Sequence, residues 1–273
     1  MTILTDIFAG LFGLILGSFF NVVICRVPRG ESIVRPGSHC PGCGRPIKPW
    51  HNIPVISYLF LGGRCASCRK RISVEYPIVE LLTCVAAVAV WHGLLWPAIT
   101  QGLPLWRIIE QSMWAVALLS MIPVFFIDLH HYIIPDSISV TGFAVSLLLS
   151  FMPGGITPLQ SLIGVLTGAG FFLILGKGAE LLLKKDEALG GGDIKLLAFL
   201  GALWGWKGAA MVIIFGSLLG SVVGVAMLIT RKLNQEHKIP FGPFLAAAAW
   251  ISVFWGEPIA RWYLGLVEVW VAR

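Results

Sequence analysis

The sequence predicts an all-α polytopic membrane protein of about eight transmembrane helices, with a small polar insert between the first two spans. Three observations carry this. The 273-residue chain is 57% hydrophobic with a mean hydropathy of +0.85 and only 12% charged, against roughly 25% charged in a soluble domain. Its apolar residues fall in long uncharged runs, and about 20 such residues cross a bilayer. Its basic residues cluster: sixteen of the 20 Lys and Arg lie within 26–71, 177–185 and 231–238 or at Lys195. That clustering is the positive-inside pattern of cytoplasmic segments. It accounts for the formal charge of +6 without nucleic acid as a partner; the expected surroundings are membrane lipid.

The elements follow in order. Ile7 to Ile24 is uncharged and just long enough to cross. Arg26, Arg29 and Arg35 follow it, so it is expected to end in the cytoplasm with the N-terminus outside. No Lys or Arg precedes Arg26, so the basic start of a cleavable signal peptide is missing and the segment reads as a retained anchor. Residues 1–26 form the first helix, and 27–73 form a basic, Pro- and Gly-rich insert. Residues 74–273 form the remaining membrane domain. Its spans are expected at Pro77–Trp96, Ile108–Ile127, Ile133–Met152 and Leu159–Leu183, with Glu80 near an interface. From Ile194 the apolar run reaches Ile229, too long for one span, and Gly205-Trp206-Lys207-Gly208 divides it. Ile194–Trp204 is then a half-helix of about 16 Å at 1.5 Å per residue, and Ala209–Ile229 is the seventh span. Lys184–Glu187 and Arg231–Lys238 are cytoplasmic turns. Phe241–Trp255 is a short eighth span, and the tail from Pro258 lies at the interface. Eight spans put both termini outside.

Within the insert, Cys40-Pro-Gly-Cys43 and Cys65-Ala-Ser-Cys68 stand 21 residues apart. Two CxxC knuckles at such a separation are ligand spacing for a tetrahedral structural zinc. A reducing cytosol favours metal over disulfides here. A 47-residue insert with few large aliphatics needs the metal to fold. Four closed ligands leave no open position for catalysis. Cys25 and Cys84 read as small apolar fillers.

Two carboxylates meet the membrane border. Asp128 ends the third span, and Asp193 follows Gly190-Gly191-Gly192 at the start of the sixth. An ionisable group at that depth needs a partner or a task. By alternating topology both face the cytoplasm, where a pair sharing a proton can hydrolyse a peptide bond. Taken singly, Asp193 could be a helix cap and Asp128 an interfacial residue. Asp136 after Pro135 reads as a cap. His130-His131 reads as a solvated pair, since no HExxH pattern accompanies it. Lys195 reads as snorkelling to anionic lipid, with steering of substrate or tuning of a carboxylate as the alternative.

At these residues the chain resembles the type IV prepilin peptidase family, the bifunctional leader peptidases and N-methyltransferases of GxGD aspartic-protease type. Gly190-Gly191-Gly192-Asp193 matches GxGD, and Asp128 with Pro135-Asp136 matches the family's Asp-x6-Pro-Asp. Cys40, Cys43, Cys65 and Cys68 match its tetracysteine element. Flanking stretches Gly17–Ile24, Asn52-Ile53-Pro54, Gly63-Arg64-Cys65 and Tyr76–Glu80 also match, and the likeness runs from about residue 10 to 245.

The resemblance implies a multi-pass protein of the bacterial inner membrane with its active site at the cytoplasmic face. Its partners would be prepilins and the pseudopilins of type II secretion. Asp128 and Asp193 would cleave their short basic leader after a Gly. The new N-terminal residue, usually Phe, would then be methylated with S-adenosylmethionine, a task associated with the 27–73 insert. The sequence leaves the cofactor-binding residues unassigned. It carries no GxGxxG fingerprint, and Glu31, Trp50, Asn52, Tyr58 and Arg64 are polar or aromatic candidates for a pocket between insert and membrane face. The alternatives are a peptidase without methyltransferase activity and a non-catalytic zinc-ribbon adaptor of a secretion or pilus machine. A proton-carrying transporter is disfavoured because the carboxylates lie at one face and not at the midplane.

Overall fold

A computed structural model describes residues 2–183, 190–230 and 239–271. The turns expected at Lys184–Glu187 and Arg231–Lys238 lie outside the described residues. Among those residues there is no named strand, so the all-α expectation holds. Six helices are long and apolar enough to cross a membrane: Ile3–Arg29, Glu75–Thr100, Leu105–His131, Pro158–Gly178, Gly191–Ile229 and Gly242–Leu266. Among the described residues, these six candidates do not confirm the exact count of eight. The expected fourth span is a helix of only 14 residues, Asp136–Leu149. The expected sixth and seventh form one helical run of 39 residues, broken in conformation at Gly205 (φ 68°, ψ −172°). The eighth is longer than expected: the tail from Pro258 continues the same helix. A proline removes one hydrogen bond from a helix interior without having to end it.

The chain divides into two compact units, residues 1–103 and 104–273. The first contains α1 (Thr2–Arg26), α2 (Ile56–Phe60), α3 (Glu75–Val90) and α4 (Trp96–Thr100). Helices α1 and α3 approach closely because α1 lacks side chains where they meet. A β-carbon at Gly13 would lie 2.7 Å from Cys84 Cα and from the Thr83 carbonyl oxygen, and one at Gly17 would lie 2.6 Å from Glu80 Cα. Lipid gives apolar helices little reason to associate, so small residues and close backbone packing supply it. Val79, Ala86, Ala87 and Val90 are buried on α3. Phe8, Leu11 and Ile15 of α1 remain exposed, as suits a surface that faces lipid tails. A π-turn, Trp91–Leu95, joins α3 to α4.

The second unit contains α5 (Leu105–His131), α6 (Asp136–Leu149), α7 (Pro158–Val165), α8 (Phe171–Leu183), α9 (Gly191–Ile229) and α10 (Gly242–Val271). Its core is the first half of α9, where Leu196, Leu197, Phe199, Leu200, Ala202 and Leu203 are buried. Glycines again set the spacing. The place of a Gly164 β-carbon on α7 is filled by the Gly201 carbonyl of α9, and that of Gly142 on α6 by the Phe199 ring at 2.7 Å. Ser161 Oγ donates to the Ala202 carbonyl at 3.0 Å. Helix α10 is tied to α5 by Trp250 Nε1, which donates to the Leu118 carbonyl at 3.0 Å.

Candidate functional site

Asp128 lies in the last turn of α5 and is 5% exposed. Tyr132 ends that helix in the left-handed region (φ 57°), its N–H donating to the Asp128 carbonyl at 2.9 Å. The chain then passes through Ile133, Ile134 and Pro135 into α6. The carboxylate points across the unit to the start of α10. There the backbone N–H of Gly242 donates to Asp128 Oδ2 at 2.9 Å, and a β-carbon at Gly242 would stand 2.6 Å from that oxygen. Gly242 is thus both donor and clearance for the carboxylate. Nothing in the sequence pattern singled it out.

Asp193 occupies the first turn of α9 and is half-buried. It is not the cap: Gly190 holds that position, without a side-chain cap bond, and accepts the Asp193 N–H at 3.1 Å. The three glycines differ in their use. A β-carbon at Gly192 would press on Ile134 Cβ at 3.1 Å, and one at Gly190 would lie 3.0 Å from Asp193 Oδ2, whereas Gly191 faces open space. Glycine at 192 therefore lets the start of α9 close on the link that follows Asp128. The first turn of α9, which carries Asp193, thereby packs against the link that follows Asp128.

Lys195 is not directed to lipid alone. Its Nζ donates to both oxygens of Asp136, at 2.7 and 2.9 Å, with both side chains about half exposed. Asp136 opens α6 without making a side-chain cap bond. The pair ties the start of α6 to the start of α9. His130 and His131 end α5 with their rings 6.4 Å apart.

In the first unit, the Sγ atoms of Cys40, Cys43, Cys65 and Cys68 lie within 4.8 Å of one another, and the group could hold a metal ion. The two knuckles have the same local geometry. Cys40 N–H donates to the Arg45 carbonyl at 3.0 Å and Cys65 N–H to that of Lys70 at 2.9 Å. Gly44 (φ 68°) and Arg69 (φ 59°) make the matching left-handed turns. In each, a backbone N–H two residues on, Gly42 or Ser67, donates to the first sulfur at 3.4 Å. The N–H groups of Cys68 and Ser67 hold the Cys65 thiol down to about 6, favouring the thiolate that binds metal, while burial and the neighbouring thiols push Cys68 up to about 11.

Beside this cluster is a cavity of about 440 Å³, lined by residues of α1, α2, α3 and both knuckles. Glu31, Asn52 and Tyr58 line it; Trp50 and Arg64 do not. Two lining residues are more important than the sequence suggested. Arg26, read there as a topogenic charge, is 7% exposed and donates to the carbonyls of Ser32, Pro36 and Gly37. Glu80, expected near an interface, is 7% exposed, and its Oε2 accepts the Val55 N–H at 2.7 Å. Position alone, three residues after Pro77 near a helix start, could not distinguish an interfacial Glu from one turned inward.

Fold and site together define a multi-pass helical membrane protein that carries a carboxylate pair and a separate cysteine cluster. Residues 11–94 match the model of the bacterial peptidase A24 N-terminal domain, and residues 115–225 that of the type IV leader peptidase family. The chain is 35% identical to the prepilin leader peptidase/N-methyltransferase of Aeromonas salmonicida, over 94% of this chain and 93% of that one. It is 36% identical to the protein of that name from Pseudomonas aeruginosa, over 93% and 91%. With that of Legionella pneumophila it shares 33% identity, over 94% and 93%. No solved structure matches. The chain belongs to the type IV leader peptidase family.

Proposed function

We propose that this protein cleaves the basic leader of prepilins and pseudopilins with Asp128 and Asp193, and then methylates the new N-terminus. The similarity over nearly the whole chain to prepilin leader peptidase/N-methyltransferases supports both activities. The observation that supports the assignment of the residues is the packing of Gly192, beside Asp193, against Ile134 in the link that follows Asp128. One carboxylate takes a proton from water as the water oxygen attacks the scissile carbonyl carbon. The other, protonated, hydrogen-bonds to the carbonyl oxygen. The C–N bond then breaks, and the departing amine takes up a proton. Gly242 N–H holds Asp128 in place for this.

The protein resides in the bacterial inner membrane with this site at the cytoplasmic face and both termini outside, as the clustered basic residues support. There a pilin's apolar helix can lie in the bilayer while its Lys- and Arg-bearing leader stays in the cytosol. The cysteine cluster takes zinc. Tetrahedral sulfurs around an ion at ~2.3 Å stand roughly 3.8 Å apart, and Cys40 and Cys68 Sγ lie 3.8 Å apart. This zinc is structural, since all four positions are filled by sulfur. S-adenosylmethionine supplies an electrophilic methyl group. The substrate amine's lone pair forms the new C–N bond, the methyl–sulfur pair stays on sulfur, and the amine loses one proton.

The test combines purified protein in lipid with a synthetic prepilin and S-adenosylmethionine, read by mass spectrometry. Wild type is expected to remove the leader and add 14 mass units, roughly one CH2. Asp128→Asn and Asp193→Asn are each expected to abolish cleavage. Cleavage that survives either substitution removes that residue from the mechanism.

A further inference from the structure

The cavity beside the cysteine knuckles is built for a ligand. Its volume of about 440 Å³ falls within the roughly 300–1,000 Å³ of small-molecule sites. Its walls carry charges of both signs: two carboxylates, Glu80 and Glu31, and five basic side chains, Arg26, Arg29, Arg45, Lys70 and Arg71, of which Arg26 is already bonded to three backbone carbonyls. Glu80 is the unusual member. It is buried, and among the described residues it has no ion pair with a basic side chain. A carboxylate in that position is costly unless its charge is met. Two neutral donors reach it, the N–H of Val55 and the hydroxyl of Ser18, and neither brings a positive charge. Val55 is itself held at φ 60°, ψ −49°, a conformation that strains a β-branched residue and that is retained mainly at functional sites. The surroundings therefore hold a carboxylate, at some cost, against the wall of a cavity.

We infer that this cavity binds S-adenosylmethionine, with Glu80 facing its positively charged sulfonium and the arginines meeting its carboxylate. The inference rests on the methylation reading above. It follows from where the charges lie: the ligand joins a cationic centre to a carboxylate, and the cavity sets one buried carboxylate, Glu80, apart from exposed basic side chains at Arg29 and Arg71. It also gives the cysteine cluster a role, because Cys40 and Cys65 form part of the same wall. Metal bound there would hold one side of the pocket without touching the ligand's reacting carbon.

The experiment is equilibrium binding to the full, zinc-loaded chain in detergent. The probes are S-adenosylmethionine and S-adenosylhomocysteine, which differ by one methyl group and one positive charge. Glu80→Gln keeps the size of the side chain and an acceptor for the Val55 N–H. It is expected to weaken S-adenosylmethionine tenfold or more and S-adenosylhomocysteine less than threefold. Val22→Trp, which fills the cavity from α1, is expected to weaken both probes. Zinc content reports that the insert is intact, and prepilin cleavage reports the rest. Equal loss of both probes in Glu80→Gln, or loss of neither, overturns the role of Glu80. Unchanged binding in Val22→Trp places the ligand elsewhere. A wild-type protein that cleaves prepilin but binds neither probe overturns the inference together with the methylation reading beneath it.

Discussion

The Gly242 N–H donates to Asp128 Oδ2 at 2.9 Å, and a β-carbon on Gly242 would stand 2.6 Å from the same oxygen. One residue of α10 thereby fixes the carboxylate of α5, and any side chain in its place has to push that carboxylate aside. Gly242→Ala is expected to displace the carboxylate and lower cleavage by about 100-fold, the usual cost of a misplacement near 1 Å. The rate on a synthetic prepilin checks this, with a melting curve to show that the fold survives. Wild-type turnover in the variant would show that Asp128 does not need this anchor.

The carboxylates themselves should separate activity from stability. Asp128→Asn and Asp193→Asn each remove an acid–base group, worth ~10²–10⁴ in rate. Neither is expected to lower the melting temperature, since each replaces a carboxylate near the membrane border with a neutral group of like shape. Unfolded variants on a thermal melt would count against this.

Lys195 and Asp136 form an exposed pair, so their link is worth less than ~1 kcal/mol, at most roughly fivefold in rate. Lys195→Ala and Asp136→Ala are each expected to slow cleavage by no more than that. The exchange Lys195→Asp with Asp136→Lys should recover part of the loss. A double-mutant cycle on the cleavage rate measures the coupling. If Lys195→Ala alone abolishes cleavage, Lys195 contacts substrate or the carboxylates and does not merely tie two helices.

Chelation should divide the two activities. Removing zinc, or replacing Cys40 and Cys65 with Ser, is expected to unfold the insert and eliminate methylation. Cleavage at Asp128 and Asp193 is expected to persist. Mass spectrometry reads both products from one reaction, and concurrent loss of cleavage would show that the cysteine element also serves the peptidase.

Gly164 offers a test of the core. The Gly201 carbonyl fills the place of its β-carbon, and neither backbone can move without parting α7 from α9. Gly164→Val is expected to destabilise the second unit by about 2 kcal/mol or more through overpacking, measured by thermal unfolding in detergent.

Much of this was legible in the sequence, for reasons that differ by residue. The helices were visible because a bilayer demands long uncharged runs. The break at Gly205 was visible because Gly205-Trp206-Lys207-Gly208 interrupts one of them. The span count was less secure, since Asp136–Leu149 is apolar but short and a single residue suffices to divide α9. The cysteine knuckles were legible because metal ligation imposes local spacing. Asp128 and Asp193 stood out because carboxylates are costly at that depth. Gly242 was not legible: its value comes from a contact across 114 positions of chain, and a glycine before an apolar helix is ordinary. The burial of Glu80 and Arg26 was not legible for a related reason. Each lies at a helix end where a charge is expected to reach water, and only the folded insert, supplying Val55 N–H and three carbonyls, turns them inward.

The boundary at Leu103 has a practical consequence. The bonds that hold Glu80, Arg26 and the cysteine knuckles are made among residues 2–103, while those that hold Asp128, Asp193 and Lys195 are made beyond residue 104. A gene interrupted there would give two polypeptides, each with its own apolar helices long enough to cross a membrane. Co-expression of the halves would then be a route to supplying one modified half against an unmodified other.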